Sequence, residues 1–188
     1  MSAHYLAPWR VDVDIRPTVV RPLPASIATL VRTIAAALEA SGAPEPASIG
    51  LLLVDDAEIT GLNERHLAHE GATDVLSFPL LPPEAYPAHA GIDDLEPRPG
   101  PRPADAAFFA GPPGRRRHLG DIVVSVERAI EQASEGRGGQ TGDIRWSAHE
   151  ELRLLVTHGT LHVCGWDHAE PAEETAMRAL EQRLLASG

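Results

Sequence analysis

The residues best suited to chemistry lie in one stretch, His158-Gly-Thr-Leu-His162-Val-Cys-Gly-Trp-Asp-His168. On an α-helix, residues four apart are offset by roughly 40° around the axis, so His158 and His162 project from one face on successive turns. Two imidazoles so placed can share one metal ion. Gly165 lets the chain reverse, and His168 can then come back as a third ligand. Three neutral imidazoles with an open fourth position form the donor set of a catalytic zinc site, where coordinated water has its pKa lowered to roughly 7. A bare His-xxx-His pair arises readily by chance. The added glycine and third histidine at this spacing make the metal site the stronger reading.

The spacing coincides with the metzincin protease pattern His-Glu-x-x-His-x-x-Gly-x-x-His, with Gly159 standing where the protease has its general-base glutamate. Glycine cannot accept a proton, so peptidase chemistry of that kind is disfavoured although the metal site is kept. The whole segment, HGTLHVCGWDH, resembles the signature of the YbeY endoribonucleases, His-Gly-x-Leu-His-Leu-x-Gly-Tyr-Asp-His, with Val163 for Leu and Trp166 for Tyr. Two further blocks look like that family's in the same order: TDVLSFP at Thr73–Pro79 and LGDI at Leu119–Ile122. The resemblance spans roughly Ser48 to Leu185.

It implies a single-strand-specific endoribonuclease with one zinc ion per chain. It also implies a role in 3′-end maturation of small-subunit (16S) ribosomal RNA and in ribosome quality control. The implied partners are the rRNA precursor, the small ribosomal subunit and its assembly factors, with no DNA and no membrane. The implied fold is α/β, a small mixed β-sheet packed with helices in a zincin-like metal-dependent hydrolase fold. Many family members carry a functional arginine shortly before the TDVLSFP block, in a stretch like Asn-x-x-Tyr-Arg. Here the aligned residues are Asn63-Glu64-Arg65-His66-Leu67, which puts leucine at that place, and Arg65 would point elsewhere on a helix.

No residue can be named as general base, and either water or a ribose 2′-hydroxyl can serve as the nucleophile. Asp167 and Asp121 are candidate supporting carboxylates. Asp167 either orients an imidazole or caps the turn, and Asp121 either faces the metal pocket or is a strand residue without a chemical role. Thr73 and Asp74 are expected to shape the pocket wall. Cys164 lies roughly 200° around the helix from His162 and reads as a packed thiol facing away from the metal. His66, His69, His89, His118 and His149 lack ligand spacing and read as surface residues. Trp9, Trp146 and Trp166 are too scattered for a base-stacking platform. Two alternatives to the ribonuclease stay open: a peptidase using a carboxylate from elsewhere, and a ribosome-assembly factor whose zinc is mainly structural.

The elements that must position these residues follow from periodicity. Trp9 to Ile15 alternates as a half-buried strand, and Ser26 to Ala40 repeats apolar residues at helical spacing until Ser41-Gly42. Ser48 to Val54 is an apolar run expected as a buried strand, followed by a helix over about 57–66 capped by Asp55 or Asp56. Asp74 to Phe78 is a further strand, stopped by Pro79. Residues 82–117 are rich in Pro, Gly and Ala, lack any period, and read as a long surface loop inserted in a single domain covering 1–188. Its end, Arg115-Arg116-Arg117-His118, either brings positive charge to RNA or is a solvated charge run. Leu119 to Val126 predicts a strand, with a helix to about Ser134 and a turn over Gly136 to Gly142. Helical spacing resumes from Ile144 to Gly165, and Pro171 opens a final helix.

Bulk composition sets the limits. The chain has 188 residues, long enough for a real core, and a net charge of −11, which argues against a broad nucleic-acid binder. All 16 of its strong cations are arginine. The single cysteine excludes an internal disulfide and suits a reducing compartment. No apolar run approaches the ~20 residues of a membrane helix, and the first residues lack a secretory pattern, so a cytoplasmic location is expected.

Overall fold

Alternation of apolar and charged residues over Trp9–Ile15 yields a strand whose Trp9, Val11 and Val13 are buried while Asp12 and Asp14 face the other way. It is β2 in a computed structural model that describes residues 1–66, 73–89, 116–136 and 147–186. The other strands are β1 (Ser2–Leu6), β3 (Ala47–Val54), β4 (Val75–Pro79) and β5 (Arg117–Ser125). The helices are α1 (Ile27–Ala40), α2 (Asp56–His66), α3 (Val126–Glu135), α4 (Ala148–Val163) and α5 (Pro171–Ala186), with one 3₁₀ turn at Pro83–Ala85.

The strands form one mixed sheet in the order β1-β2-β3-β5-β4. The pairs β2–β3 and β3–β5 are parallel, and the two edge strands, β1 and β4, run antiparallel to their neighbours. One face of the sheet carries the main core, in which Val11, Ile49, Leu51, Leu53 and Ile122 meet Leu30 and Ile34 of α1, Leu152 and Leu161 of α4, and Met177 of α5. Each such side chain, fully buried, contributes about 1.5–3 kcal/mol. The other face carries a smaller cluster of Val54, Ile59, Leu76 and Val123 beneath α2. Covered on both faces, β3 reads as a continuous apolar run. This is the α/β class expected, a small mixed sheet packed with helices.

Side chains close the helix ends. Ser26 accepts from Thr29 N at the start of α1, and Asp55, not Asp56, accepts from Glu58 N at 2.8 Å at the start of α2. Ser147 and Glu150 form a capping box on α4, and Gly136 ends α3 in a left-handed conformation with φ 76°.

Several elements differ from the sequence reading. β1 was not expected; its side chains are mostly exposed on both faces, so no alternation marks it. β5 begins at Arg117, which therefore belongs to the strand and not to the preceding loop. Within the loop expected over 82–117, residues 90–115 lie outside the described residues, as do Ile144 and all but the first residue of the expected 136–142 turn. Residues 82–89 pack as a strap, in which Tyr86 is buried and Pro83 and Pro87 lie against the positions of Gly165 and Gly42.

Candidate metal centre

Helix α4 carries the first two histidines, and one glycine sets how close it comes to the sheet. A Cβ at Gly159 would stand 2.6 Å from Ile122 Cγ2 and 2.9 Å from Val75 Cγ2, distances that real Cβ atoms do not show. Only hydrogen fits there, so the helix lies directly on β4 and β5, and Ser77 Oγ donates to Gly159 O at 3.1 Å. Position 159 thus points into the sheet. A glutamate there would meet Ile122 and Val75.

After Val163 the chain turns through Gly165, whose φ of 84° favours glycine and where a Cβ would crowd Pro83 Cα at 3.0 Å. Trp166 N donates back to Leu161 O at 3.1 Å, closing the turn that returns His168. Candidate donor atoms of His158, His162 and His168 all lie within 4.8 Å of one another. The two Nε2 atoms of His158 and His162 are 3.0 Å apart.

Hydrogen bonds on the outer nitrogens orient two of these rings with Nε2 inward. His158 Nδ1–H donates to Glu181 Oε1 at 2.8 Å, and His162 Nδ1–H donates to the carbonyl of Trp166 at 2.9 Å. Both partners accept, so in the neutral ring Nδ1 carries the proton and Nε2 presents its lone pair inward. Two lone pairs facing at 3.0 Å repel unless a proton or a metal ion lies between them. Nitrogens sharing one tetrahedral zinc at ~2.0–2.1 Å would be roughly 3.3 Å apart, so the donor set suits that ion. Burial, reinforced by the neighbouring His158 and His168 imidazoles, pushes the pKa of His162 down to about 4. The ring is neutral at pH 7, as a metal ligand must be.

Glu181 was missed by sequence reasoning. It sits on α5, 23 positions from His158, and is 4% exposed. Its one sequence signal is a carboxylate on the helix face that also buries Met177 and Leu180.

An open cleft of about 530 Å³ borders the histidines, walled by β4 residues, Thr73, Asp74, Pro83, Trp166 and Asp167. Asp167 lines it, but its carboxylate accepts from His168 N at 2.8 Å and so caps the turn. Asp74 accepts from Val75 N and Gln132 Nε2, and Thr73 donates to Val75 O, which leaves both as wall residues. Asp121 does not reach the cleft. Between β3 and β5 the register shifts, so that His118 opposes Ser48 while Asp121 opposes Gly50. The extra residue turns Asp121 to the α2 side of the sheet, where it pairs with His118 at 3.2 Å.

The remaining candidates are also placed. Cys164 is fully buried behind the site, and burial pushes its thiol pKa up to about 12. His89 is not a free surface residue: its ring stacks on Trp166 at 3.8 Å and 7° and bonds Gly165 O. His118 also bonds Ser48 Oγ, and His149 bonds Pro24 O. Trp9 and Trp166 are buried and far apart in the chain. Arg116 donates to Pro8 O and lies over the Tyr5 ring, 5.7 Å from its centroid, beside β1. Neither it nor Arg117 lines the cleft. Leu67, His69, Arg115 and Trp146 lie outside the described residues, as does the side chain of His66.

Fold and site together define a mixed α/β protein whose three-histidine group, two on one helix and one on the turn after it, is suited to a metal ion. The chain belongs to the YbeY family: the family model described as Endoribonuclease YbeY matches residues 20–187. Among similar proteins is an Endoribonuclease YbeY of Roseiflexus sp. (strain RS-1), 35% identical over 92% of this chain and 90% of that protein. Another, of Salinispora tropica, is 39% identical over 80% of each chain. A solution structure from Thermotoga maritima aligns over 94% of this chain and 90% of that one, with 17% identity and a TM-score of 0.48.

Proposed function

We propose that this chain is a zinc-dependent endoribonuclease specific for single-stranded RNA. It acts in the cytoplasm, in 3′-end maturation of small-subunit rRNA and in ribosome quality control, with the small subunit and its assembly factors as partners. The family, and relatives described as endoribonucleases, support the reaction. The observation that carries the metal dependence is the convergence of three imidazoles within 4.8 Å, two of them turned with Nε2 inward by acceptors on the opposite ring nitrogen.

His158, His162 and His168 would hold the ion. Bound there, zinc supplies Lewis-acid polarisation of a phosphoryl oxygen and lowers the pKa of water. The chain's own residues do the rest. Glu181 and the Trp166 carbonyl fix two of the rings, Asp167 stiffens the turn that carries the third, and β4 walls the cleft along which an unpaired strand can lie. Gly159 offers no proton acceptor, which counts against a peptidase of the metzincin kind. Among the described residues no fourth donor joins the three histidines, and the open cleft beside them favours a catalytic over a structural ion. Among them, too, no helix is long and apolar enough to cross a membrane.

The test is cleavage of a single-stranded RNA by the zinc-loaded protein, with His162→Ala and an unstructured peptide as controls. Cleavage of RNA alone, lost in His162→Ala, is the expected result. A protein that binds one zinc per chain yet cuts no RNA would overturn the proposal and favour an assembly factor.

A further inference from the structure

An acidic chain that handles a polyanion must offer positive charge where the phosphates are to lie. Here the net charge is −11, and the main cleft carries Asp74 and Asp167 but, among the described residues, no arginine. On the other side of the imidazoles a second cleft, of about 240 Å³, shares His158 and His168 with the first. Its lining includes Arg178, the only guanidinium among the described residues that lines either cleft. Arg178 stands on α5, just under one turn before Glu181. That helix therefore offers the histidines a buried carboxylate, which orients His158, and next to it a half-exposed cation.

At present the guanidinium pairs with Glu174 at 2.5 Å, one turn back on the same helix, with both side chains about half exposed. Such exposed pairs are weak, and a phosphate competes well for arginine because its oxygens match the guanidinium fork. The sequence hides this role, since Glu174 and Arg178 read as an ordinary i,i+4 pair on a solvated face.

We infer that Arg178 is a phosphate-binding residue beside the metal centre, holding the backbone of a single-stranded RNA that runs from the main cleft past His168. This rests on the ribonuclease reading above. Arg178 grips and positions the strand; it takes no proton and needs no partner chain.

The experiment is fluorescence anisotropy of a labelled single-stranded 2′-O-methyl oligoribonucleotide, titrated with the zinc-loaded full chain over a salt series. Arg178→Gln should weaken binding about tenfold at low salt. It should also make the log–log salt dependence shallower by about 0.7, the share of one phosphate contact on a single strand. Arg178→Lys should restore the slope but only part of the affinity. Arg183→Gln makes the same charge change on the same helix outside both clefts, and should bind as wild type does. In cleavage assays the expected signature of Arg178→Gln is a raised KM with kcat little changed, at unaltered zinc content and melting temperature. Unchanged binding by Arg178→Gln, or equal weakening by Arg183→Gln, overturns the inference while leaving the ribonuclease intact. A wild-type chain that neither binds nor cleaves RNA overturns the ribonuclease, and Arg178's role with it.

Discussion

Glu181 and the Trp166 carbonyl determine what the histidines can do, because each removes one ring nitrogen from the choice of ligand atom. The glutamate also contributes charge: a buried carboxylate behind a coordinated imidazole raises its basicity and partly offsets the cation. Glu181→Gln keeps the size and removes the charge. Its amide can also rotate to donate, which would call for the other His158 tautomer and take the inward lone pair away. We expect zinc affinity to fall 10–100-fold, the usual effect of losing such a partner, with the fold intact. Competition with a fluorescent chelator measures this directly, and an unchanged affinity would show that His158 needs no orienting group. The histidines themselves were legible because helical spacing is a local property. Glu181 was not, since its partner is 23 positions away and only the docking of α5 on α4 brings them together.

Docking of α4 on the sheet edge depends in the same way on one position. Gly159 touches Ile122 and Val75, so Gly159→Ala must push the helix outward or distort β4. Overpacking of this kind costs about 1–3 kcal/mol, against which the better helix propensity of alanine recovers up to about 1. The net expectation is a destabilised protein in urea unfolding, with zinc affinity lowered because both histidines ride on the displaced helix. A variant as stable as the parent would mean that β4 yields freely. Elements of this sort separate by how local their cause is. Strand β2 alternates, α1 repeats, and β3 is an apolar run, so each could be read from its own residues. The register shift in β5 could not: counting by twos from the buried Leu119 would put Asp121 on the helix face, and the extra residue near Gly120 reverses it. The packed strap over residues 82–89 was hidden for the same reason, since Tyr86 and His89 find Cys164 and Trp166 only in the folded chain.

At the scale of the whole molecule, the three-histidine group joins elements that also meet in the core. His158 and His162 belong to α4, His168 to the turn before α5, and Glu181 to α5 itself, while Pro83 and His89 of the strap close on Gly165 and Trp166. A cation bound at the three rings therefore ties the C-terminal third of the chain together. An ion that binds the folded state and not the unfolded one stabilises it by about 2.7 kcal/mol at a hundredfold excess over Kd. For a chain of this length each kcal/mol moves the melting temperature by roughly 2–4 °C. Chelation should then lower the melting temperature by roughly 5–10 °C, and zinc should restore it. The His162→Ala protein should respond to neither, since two imidazoles remain and one of them has lost the neighbour that shares the ion. Calorimetry of both proteins with and without chelator decides the matter: a wild type that loses its zinc yet melts unchanged would show that the core alone sets the stability, and that the ion serves only the chemistry of the cleft.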